Sequence, residues 1–404
     1  MPEENHATAR SVLIVGASAA GLATAEALRR KEYQGALTLL DAERHHPPYD
    51  RPPLSKQVLK GDWEPARTPL RTGEQLAALE VKFVSGDGAD SFDAAARTVT
   101  TRTGRRLRAD HVVIATGLYP RALPGQGSLA GAHVLRSMED ALRLRGDLLG
   151  GERLVVVGAG MLGTEIAAGA HALGLDVTVV APATTLMGPQ VGDLIGGLLS
   201  RLHTEQRVRM RLGAAVDRLT GEDGRVTGVR LATGEVLPAD VVAVAIGARP
   251  ATDWLTGSGL PLGDGVECDA HCRAAPGTWA VGDVASWHDE RLGRRLRLEN
   301  RTNATEQAQT VAANIMGAAR PYTPVPYYWT GQYEAKLQVH GLPSPFDDVK
   351  VVEGSLDERR FAALYGRGGR VTAVLGWNMP KQARLLRRRH LSGPPPGADA
   401  ARPA

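Results

Sequence analysis

Short apolar runs that end in glycine recur along the chain and predict buried parallel strands. Residues 12–15 lead into Gly16-Ala17-Ser18-Ala19-Ala20-Gly21, and residues 155–157 lead into Gly158-Ala159-Gly160-Met161-Leu162-Gly163. In each copy, small residues let the backbone pass close to a pyrophosphate and then open a helix that points at it. One copy would be weak evidence, because glycine-rich turns also serve packing, but two copies predict two dinucleotide sites.

Each copy is closed by another apolar strand that ends in glycine and is soon followed by proline. Residues 110–117, ending in Ala115-Thr116-Gly117, are echoed by residues 240–247, which end in Gly247. A polar stretch with a glycine turn precedes each strand, at 99–107 and 226–236, and is typical of a small antiparallel meander. The repeat predicts one nucleotide-binding unit with a second unit inserted into it.

After the insertion the pattern returns to the first unit and then changes. Residues 278–283 predict a strand ending in Gly282-Asp283, followed by a helix from about Asn303 to Met316. From residue 321, aromatic and alternating segments such as 361–365 and 371–377 predict a third domain.

The predicted fold class is α/β, with two Rossmann-like dinucleotide-binding domains and a C-terminal α+β domain. The expected boundaries are 1–118 with 244–320 for the first domain, 119–243 for the second and 321–391 for the third. Residues 392–404, rich in proline, glycine and alanine, are expected to be disordered.

Composition narrows the functional classes. The 404 residues fit two or three domains, and a net charge of +4 without a basic and aromatic motif argues against nucleic-acid binding. No apolar run approaches the roughly 20 residues that span a bilayer, and no targeting signal is visible, so we expect a cytoplasmic protein that does not contact membranes. Arginine runs such as 384–389 are typical of solvated faces, although they would also steer an acidic protein partner.

The two cysteines, Cys268 and Cys272, form no Cys-x-x-Cys pair and do not follow a glycine-rich turn. We therefore predict two unpaired thiols and no redox disulfide. No metal site is predicted.

Acidic residues distinguish the two nucleotide units. Asp41 and Glu43 follow the second strand of the first unit, where a carboxylate would bind the ribose of an adenosine, and one of them should do so. The equivalent position in the second unit is Ala181, and no arginine lies within 182–188 to bind a 2′-phosphate, which favours NADH over NADPH without deciding between them. Glu165 would either reach a nicotinamide or complement the dipole of its helix.

Several longer motifs occur in the order seen in one family. Pro48-Tyr49-Asp50-Arg51-Pro52-Pro53-Leu54-Ser55-Lys56 is the most specific, and residues 115–117, 280–283, 303–307 and 329–333 accompany it. With these motifs the chain resembles the FAD-dependent ferredoxin reductases of the putidaredoxin reductase family along almost its whole length. The resemblance implies a fold like that of glutathione reductase without its catalytic disulfide. It departs from the common family pattern at Arg301, where tryptophan is frequent, and at Gly331, where aspartate is common.

The resemblance also implies roles for individual residues. Arg51 and Lys56 would lie at the FAD, with Pro53 and Lys56 near the flavin ring and Asp283 on the ribityl chain. Lys56 and Glu165 would be the catalytic residues, with Glu165 beside the nicotinamide. Trp329 would cover the flavin, although an aromatic residue of this kind is otherwise an ordinary core side chain. The remaining expected cofactor contacts are Gly16, Ser18, Ala19, Ala20, Gly21, Asp41, Glu43, Ala115, Thr116, Gly117, Arg121, Gly158, Gly160, Met161, Leu162, Gly163, Gly247 and Gly282.

The sequence therefore predicts an enzyme that passes hydride from NADH or NADPH to FAD and single electrons to a small iron-sulfur ferredoxin, which would supply a monooxygenase or dioxygenase. Alternatives with the same flavin site are an NADH oxidase and a rubredoxin or quinone reductase. A flavin-bound signalling protein is a further alternative, favoured by Ala181. We expect a monomer or a weak dimer.

Overall fold

The computed structural model describes residues 10–44 and 46–391, so the predicted disorder of 392–404 lies outside the described residues. The helices are α1 (Ala19–Arg30), α2 (Gln57–Lys60), α3 (Gly73–Ala77), α4 (Met138–Gly150), α5 (Met161–Ala172), α6 (Gly188–Glu205), α7 (Arg301–Ile315) and α8 (Pro380–Leu391). Short 3-10 turns occur at Pro52–Ser55, Pro65–Arg67, Gln126–Ser128, Asp253–Leu255 and Gly282–Val284. Within the described ranges, no helix combines the length and apolar character needed to cross a membrane.

The strands follow the predicted repeat. Those of the first half are β1 (Ser11–Val15), β2 (Ala36–Asp41), β3 (Val81–Ser85), β4 (Ala89–Asp93), β5 (Thr98–Thr101), β6 (Arg106–Arg108), β7 (His111–Ile114), β8 (Leu118–Pro120), β9 (Ala132–His133), β10 (Arg153–Val157), β11 (Asp176–Ala181), β12 (Arg209–Leu212), β13 (Val216–Glu222) and β14 (Arg225–Leu231). Those of the second half are β15 (Val236–Pro238), β16 (Val241–Val244), β17 (Ala248–Pro250), β18 (Leu262–Gly263), β19 (Gly265–Cys268), β20 (Arg273–Ala275), β21 (Thr278–Ala280), β22 (Ala285–Asp289), β23 (Arg294–Leu296), β24 (Tyr327–Gln332), β25 (Ala335–Gly341), β26 (Asp348–Ser355), β27 (Arg360–Arg367) and β28 (Arg370–Trp377).

Two mainly parallel sheets form the nucleotide units. The first has the order β20-β21-β7-β1-β2-β3, and the second has the order β12-β11-β10-β16-β9. Strands β1 and β10 lie inside their sheets and are apolar almost throughout, as expected for strands covered on both faces. Each glycine-rich turn therefore opens at the carboxyl end of an interior strand, where open α/β sheets bind ligands.

The predicted meanders and the return strand are confirmed. The sheets β4-β5-β6 and β13-β14-β15 are antiparallel, and β21 pairs with β7 in the first sheet. The chain enters the inserted unit along β8 and leaves it along β17, and these two strands pair with each other. The domain boundaries given above stay a prediction.

The C-terminal region is a five-stranded antiparallel sheet, β24-β25-β28-β27-β26, against which α8 packs. The sequence did not predict the four-stranded sheet β18-β19-β22-β23, whose strands are two to five residues long and alternate with turns. Helix α7 begins at Arg301, two residues before the predicted start, because the Asn300 side chain accepts the Asn303 N–H and caps the helix.

Candidate active site

The first glycine-rich turn forms a phosphate cradle, which we define as residues 16–21. Gly16 has φ +105°, and a Cβ there would lie 2.4 Å from the carbonyl oxygen of Ala115. Ser18 is the N-cap of α1, with φ −76° and no side-chain hydrogen bond to the helix. The N–H groups of Ala19, Ala20 and Gly21 consequently stay available at the positive end of α1, which fits a pyrophosphate.

The second cradle, residues 158–163, repeats this geometry. Gly158 has φ +122°, and a Cβ there would lie 2.2 Å from the carbonyl oxygen of Ala245. Gly160 occupies the N-cap of α5 with φ −76°, the same value as Ser18, and has open space where a side chain would project. Met161 and Leu162 open the helix and are half-buried. The structure thus contains two glycine-rich turns of matching geometry, and their binding of pyrophosphates stays a prediction.

The two acidic candidates for ribose binding differ in their surroundings. Glu43 accepts hydrogen bonds from Arg51 Nη2 and from the Tyr49 hydroxyl, both at 2.6 Å. Asp41 ends β2 and accepts a long hydrogen bond from the backbone N–H of Glu43. Burial, together with the Glu43 carboxylate, raises the pKa of Asp41. Glu43 is therefore the better fixed acceptor.

A second arginine, Arg136, lies beside Arg51, and no sequence motif pointed to it. Arg136 Nη2 lies 3.3 Å from Asp283 Oδ2, and the Arg136 carbonyl accepts a hydrogen bond of 2.5 Å from Arg51 Nη1. A Cβ on Gly117 would lie 2.9 Å from the Arg136 guanidinium. The structure thus brings Arg51, Gly117 and Asp283 together around Arg136. They form a polar cluster that contains two fixed guanidinium groups.

Asp283 is held in place by the backbone of the preceding residue, Gly282. The Gly282 N–H donates to Gln307 Oε1 at 2.7 Å, and Gln307 Nε2 donates to the Cys272 thiol at 3.2 Å. Gly282 has φ +75°, which turns the chain into the 3-10 segment that contains Asp283. This fixes the carboxylate at the carboxyl end of β21, near the start of α7.

The predicted contacts Ala115, Thr116, Arg121 and Gly247 lie at the crossing between the units. Thr116 Oγ1 donates to the Ala251 carbonyl at 2.9 Å, and the Arg121 N–H donates to the Gly247 carbonyl at 3.0 Å. Arg121 Nε also donates to the Ala248 carbonyl. Within the described part of the chain these bonds join the two strands of the crossing.

The centre of the candidate site is an ion pair between the two units. Lys56 Nζ lies 2.7 Å from Glu165 Oε2, and the Ser55 hydroxyl donates to the same oxygen at 2.6 Å. The Lys56 side chain is 20% exposed and the Glu165 side chain 4% exposed, so the lysine is the partner that contacts solvent. Pro53, in the preceding 3-10 turn, accepts the Lys56 N–H and fixes its backbone. Glu165 is thus more than a complement to its helix dipole.

Trp329 lies on β24 beside this pair. It is half-buried and stacks on Tyr327 with ring centroids 5.8 Å apart, while its neighbour Thr330 is buried and donates to Glu165 Oε1 at 2.8 Å. The C-terminal sheet therefore contributes Thr330 directly to the junction, while Trp329, its neighbour on the strand, lies on the opposite face with Tyr327.

The slot at Ala181 holds no ribose-binding acid. Ala181 ends β11 and is 3% exposed, and its carbonyl accepts the Ala214 N–H. The loop that follows, 182–187, contains two threonines and neither a carboxylate nor a cation. This agrees with the sequence and leaves the choice of nicotinamide cofactor open.

The two cysteines are free and buried, as predicted. Burial raises the pKa of Cys272 to about 12. Such thiols are protonated at neutral pH and do not react as nucleophiles.

Comparisons with known proteins give consistent matches. The model of the family described as pyridine nucleotide-disulphide oxidoreductase matches residues 10–308, and a reductase C-terminal model matches 327–402. The chain is 35% identical to rhodocoxin reductase of Rhodococcus erythropolis, over 94% of this chain and 88% of the relative. It is 36% identical to the ferredoxin–NAD(+) reductase component of the p-cumate 2,3-dioxygenase system of Pseudomonas putida, over 82% and 81%. Among solved structures, the covalent putidaredoxin reductase–putidaredoxin complex matches with TM-score 0.89 and 32% identity, over 94% and 92%.

Proposed function

Because the chain belongs to the pyridine nucleotide-disulphide oxidoreductase family, and within it to the ferredoxin reductases, we propose that it moves electrons from NADH through FAD to a small iron-sulfur ferredoxin. One NADH reduces two ferredoxins and releases NAD⁺ and a proton. The reduced ferredoxin then supplies a monooxygenase or dioxygenase.

The observation that supports this proposal best is the ion pair between the two nucleotide units. Lys56 follows the first cradle in the chain and Glu165 belongs to the helix that opens at the second, yet their side chains meet at 2.7 Å. Two nucleotides bound at the cradles would extend towards this junction, where hydride transfer needs a reacting distance of about 3 to 3.5 Å.

The residues of the first unit fit FAD. The free N–H groups of the first cradle and the Arg51 and Arg136 guanidiniums suit its pyrophosphate, Glu43 or Asp41 its ribose, and Asp283 its ribityl hydroxyls. The second cradle suits the pyrophosphate of NADH. The flavin supplies the conversion of a two-electron donor into two one-electron transfers.

Lys56 and Glu165 act by placing a fixed charge at the junction rather than by exchanging protons. Glu165 and Ser55 fix the Lys56 ammonium at the junction, and a fixed cation stabilises negative charge that develops beside it. As the family resemblance implies, Trp329 would cover the flavin from the third domain and limit the access of water. Neither role requires a nucleophile, in agreement with the inert thiols.

Anaerobic rapid mixing tests the first half-reaction. We expect NADH to bleach the flavin absorbance of the purified holoenzyme within seconds, and NADPH to do so more slowly because no cation follows Ala181. No bleaching with either donor would contradict the enzymatic assignment and favour a flavin-bound signalling protein.

Cytochrome c reduction with and without a panel of ferredoxins tests the second half-reaction. We expect added ferredoxin to raise the rate, and the increase to weaken with salt because the encounter is electrostatic. An unchanged rate would favour an oxidase or a quinone reductase. We place the enzyme in the cytoplasm, where NADH is produced.

A further inference from the structure

A buried row of hydrogen-bonded polar side chains extends from Glu165 on the side away from Lys56. Thr330 Oγ1 lies 2.8 Å from Glu165 Oε1, and Gln332 Nε2 lies 3.2 Å from Thr330 Oγ1. At the far end, His203 Nε2 lies 2.8 Å from Gln332 Oε1. The side chains of Thr330, Gln332 and His203 are almost completely buried. The cost of burying these polar groups is offset only if each hydrogen bond is made.

The partners of Gln332 indicate one direction for the hydrogen bonds in this row. Gln332 Nε2 also faces Thr164 Oγ1 at 2.8 Å, and the Thr164 hydroxyl is used as a donor to backbone carbonyls of its own helix. The amide nitrogen of Gln332 therefore points to acceptors, and its oxygen accepts from His203. It follows that His203 donates to Gln332, Gln332 to Thr330, and Thr330 to Glu165.

The electrostatics of His203 agree with this direction. Burial lowers the pKa of His203 to about 4, although the bond to Gln332 acts in the opposite sense. Its Nδ1 has no hydrogen-bond partner within the described residues. His203 is consequently neutral near pH 7 with its proton on Nε2, and the Tyr333 ring packs against it at 5.0 Å. His171 and Tyr333 are further ionisable side chains beside this end of the row.

We propose that Thr330, Gln332 and His203 are positioning residues that hold the Glu165 side chain in a fixed orientation, so that Lys56 stays at the junction of the two cradles. Glu165 then has donors on both oxygens: Ser55 and Lys56 on one, and Thr330 on the other. Lys60, the other lysine near α5, is paired with Asp62 instead. The inference rests on the proposed function.

The relay predicts a pH effect that a packing role would not produce. Removing a donor from a buried carboxylate disfavours its ionised form. In Thr330→Val, a fall in pH would therefore loosen the ion pair with Lys56. We expect the ratio of the flavin reduction rate at pH 6 to that at pH 8 to fall about two- to fourfold relative to the parent enzyme. Thr330→Ser keeps the hydroxyl and should restore the parent profile.

Thr278→Val is the matched control. Thr278 is equally buried, on β21, and its hydroxyl has no partner among the described residues. It should leave the pH profile unchanged. An effect of the same size in Thr278→Val, or an unaltered profile in Thr330→Val, would overturn the proposal.

A spectroscopic measurement tests the relay without turnover. In the holoenzyme labelled with ¹⁵N-histidine, we expect the His203 signal, identified by its loss in His203→Asn, to report the neutral Nε2–H form from pH 5.5 to 8. In Gln332→Leu that signal should shift because its acceptor is gone. A charged His203, or the Nδ1–H form, would contradict the relay. A parent enzyme that NADH does not bleach would contradict the proposed function instead, whatever the His203 signal shows.

Discussion

At the scale of single residues, the site depends on a few charges fixed by contacts between distant parts of the chain. Lys56 and Glu165 are separated by more than a hundred residues, yet each is oriented by the other. Arg51, Glu43 and Tyr49 form a similar cluster of hydrogen bonds within the first unit. Substitutions that remove one charge should therefore affect one cofactor or one step more than the fold.

We predict that Lys56→Met slows flavin reduction by NADH about 10- to 100-fold while FAD is retained, because a fixed positive charge worth a few kcal/mol is lost at the junction. Rapid mixing with NADH measures the rate, and the flavin to protein absorbance ratio measures retention. Lys60→Met is the control, since Lys60 lies one helical turn after Lys56 and pairs with Asp62 instead of Glu165. An unchanged rate in Lys56→Met would remove this lysine from the mechanism.

We also predict that Glu43→Gln weakens FAD binding more than Asp41→Asn. A ribose hydroxyl donates more strongly to an ionised carboxylate, and Glu43 is held by Arg51 and Tyr49 whereas the pKa of Asp41 is raised. The Kd of FAD for the deflavinated protein measures both effects. A larger loss in Asp41→Asn would assign the ribose to the end of β2.

At the scale of elements, the glycine-rich turns and the interior strands could be predicted because their signals are local. Arg136 and the Thr330–Gln332–His203 relay could not, because each depends on residues that meet only after the sheets have packed. Ser18 stands where the second copy has Gly160, and its negative φ of −76° shows that a side chain is tolerated there. The four-stranded sheet around β19 was missed because its short strands give no clear alternation.

The two cradles lead to a prediction about serine substitutions. Gly160 has the same φ as Ser18 and open space around its Cβ direction, so Gly160→Ser should fold normally and change the Kd of NADH only a few-fold. Gly158→Ser should disrupt the second unit, because its φ is positive and its Cβ would collide with Ala245. Thermal unfolding and NADH titration distinguish the two. Equal effects would mean that the cradles are not equivalent.

Helix α8 is the element best suited to meet an acidic ferredoxin. Lys381, Arg384, Arg388 and Arg389 are exposed on it, Leu385 is 55% exposed, and the helix contains no acidic residue. Arg384 also lies close enough to Tyr327, which stacks on Trp329, to influence its ionisation. The basic surface of α8 therefore lies near Tyr327 and Trp329 of β24.

We predict that Arg384→Glu with Arg388→Glu raises the KM for ferredoxin at least tenfold at low salt and reduces its salt dependence, while the rate of flavin reduction by NADH stays the same. Lys350→Glu is the control, because Lys350 is exposed on β26 at the opposite edge of the sheet. Equal effects of both variants would place the ferredoxin elsewhere.

At the scale of the whole molecule, two buried histidines make stability depend on pH. Burial lowers the pKa of His203 and of His340 to about 4 each, and for His340 nearby arginines act in the same direction. The unfolded chain takes up these protons near pH 6.5. Between pH 6.5 and 4 the unfolded state therefore binds more protons than the folded state, and stability falls as the pH decreases.

We accordingly predict a lower Tm for the holoenzyme at pH 5 than at pH 7.5, and a smaller difference in His340→Phe. Calorimetry at the two pH values measures it. His340 is a suitable choice because neither ring nitrogen has a partner within the described residues and its ring stacks on Tyr327. A Tm difference identical to that of the parent protein would rule out this histidine as a source of acid sensitivity.

The paired strands β8 and β17 have a consequence for how such enzymes diversify. Both ends of the inserted unit leave through one narrow ribbon, where the Arg121 N–H and the Gly247 carbonyl are 3.0 Å apart. A module whose two ends adjoin can be exchanged as a block, since its replacement needs no new path for the chain. We therefore expect the inserted unit, which would bind the nicotinamide cofactor, to be exchangeable independently of the unit that would bind FAD. The exceptions are the few side chains, such as Glu165, that contact the other unit.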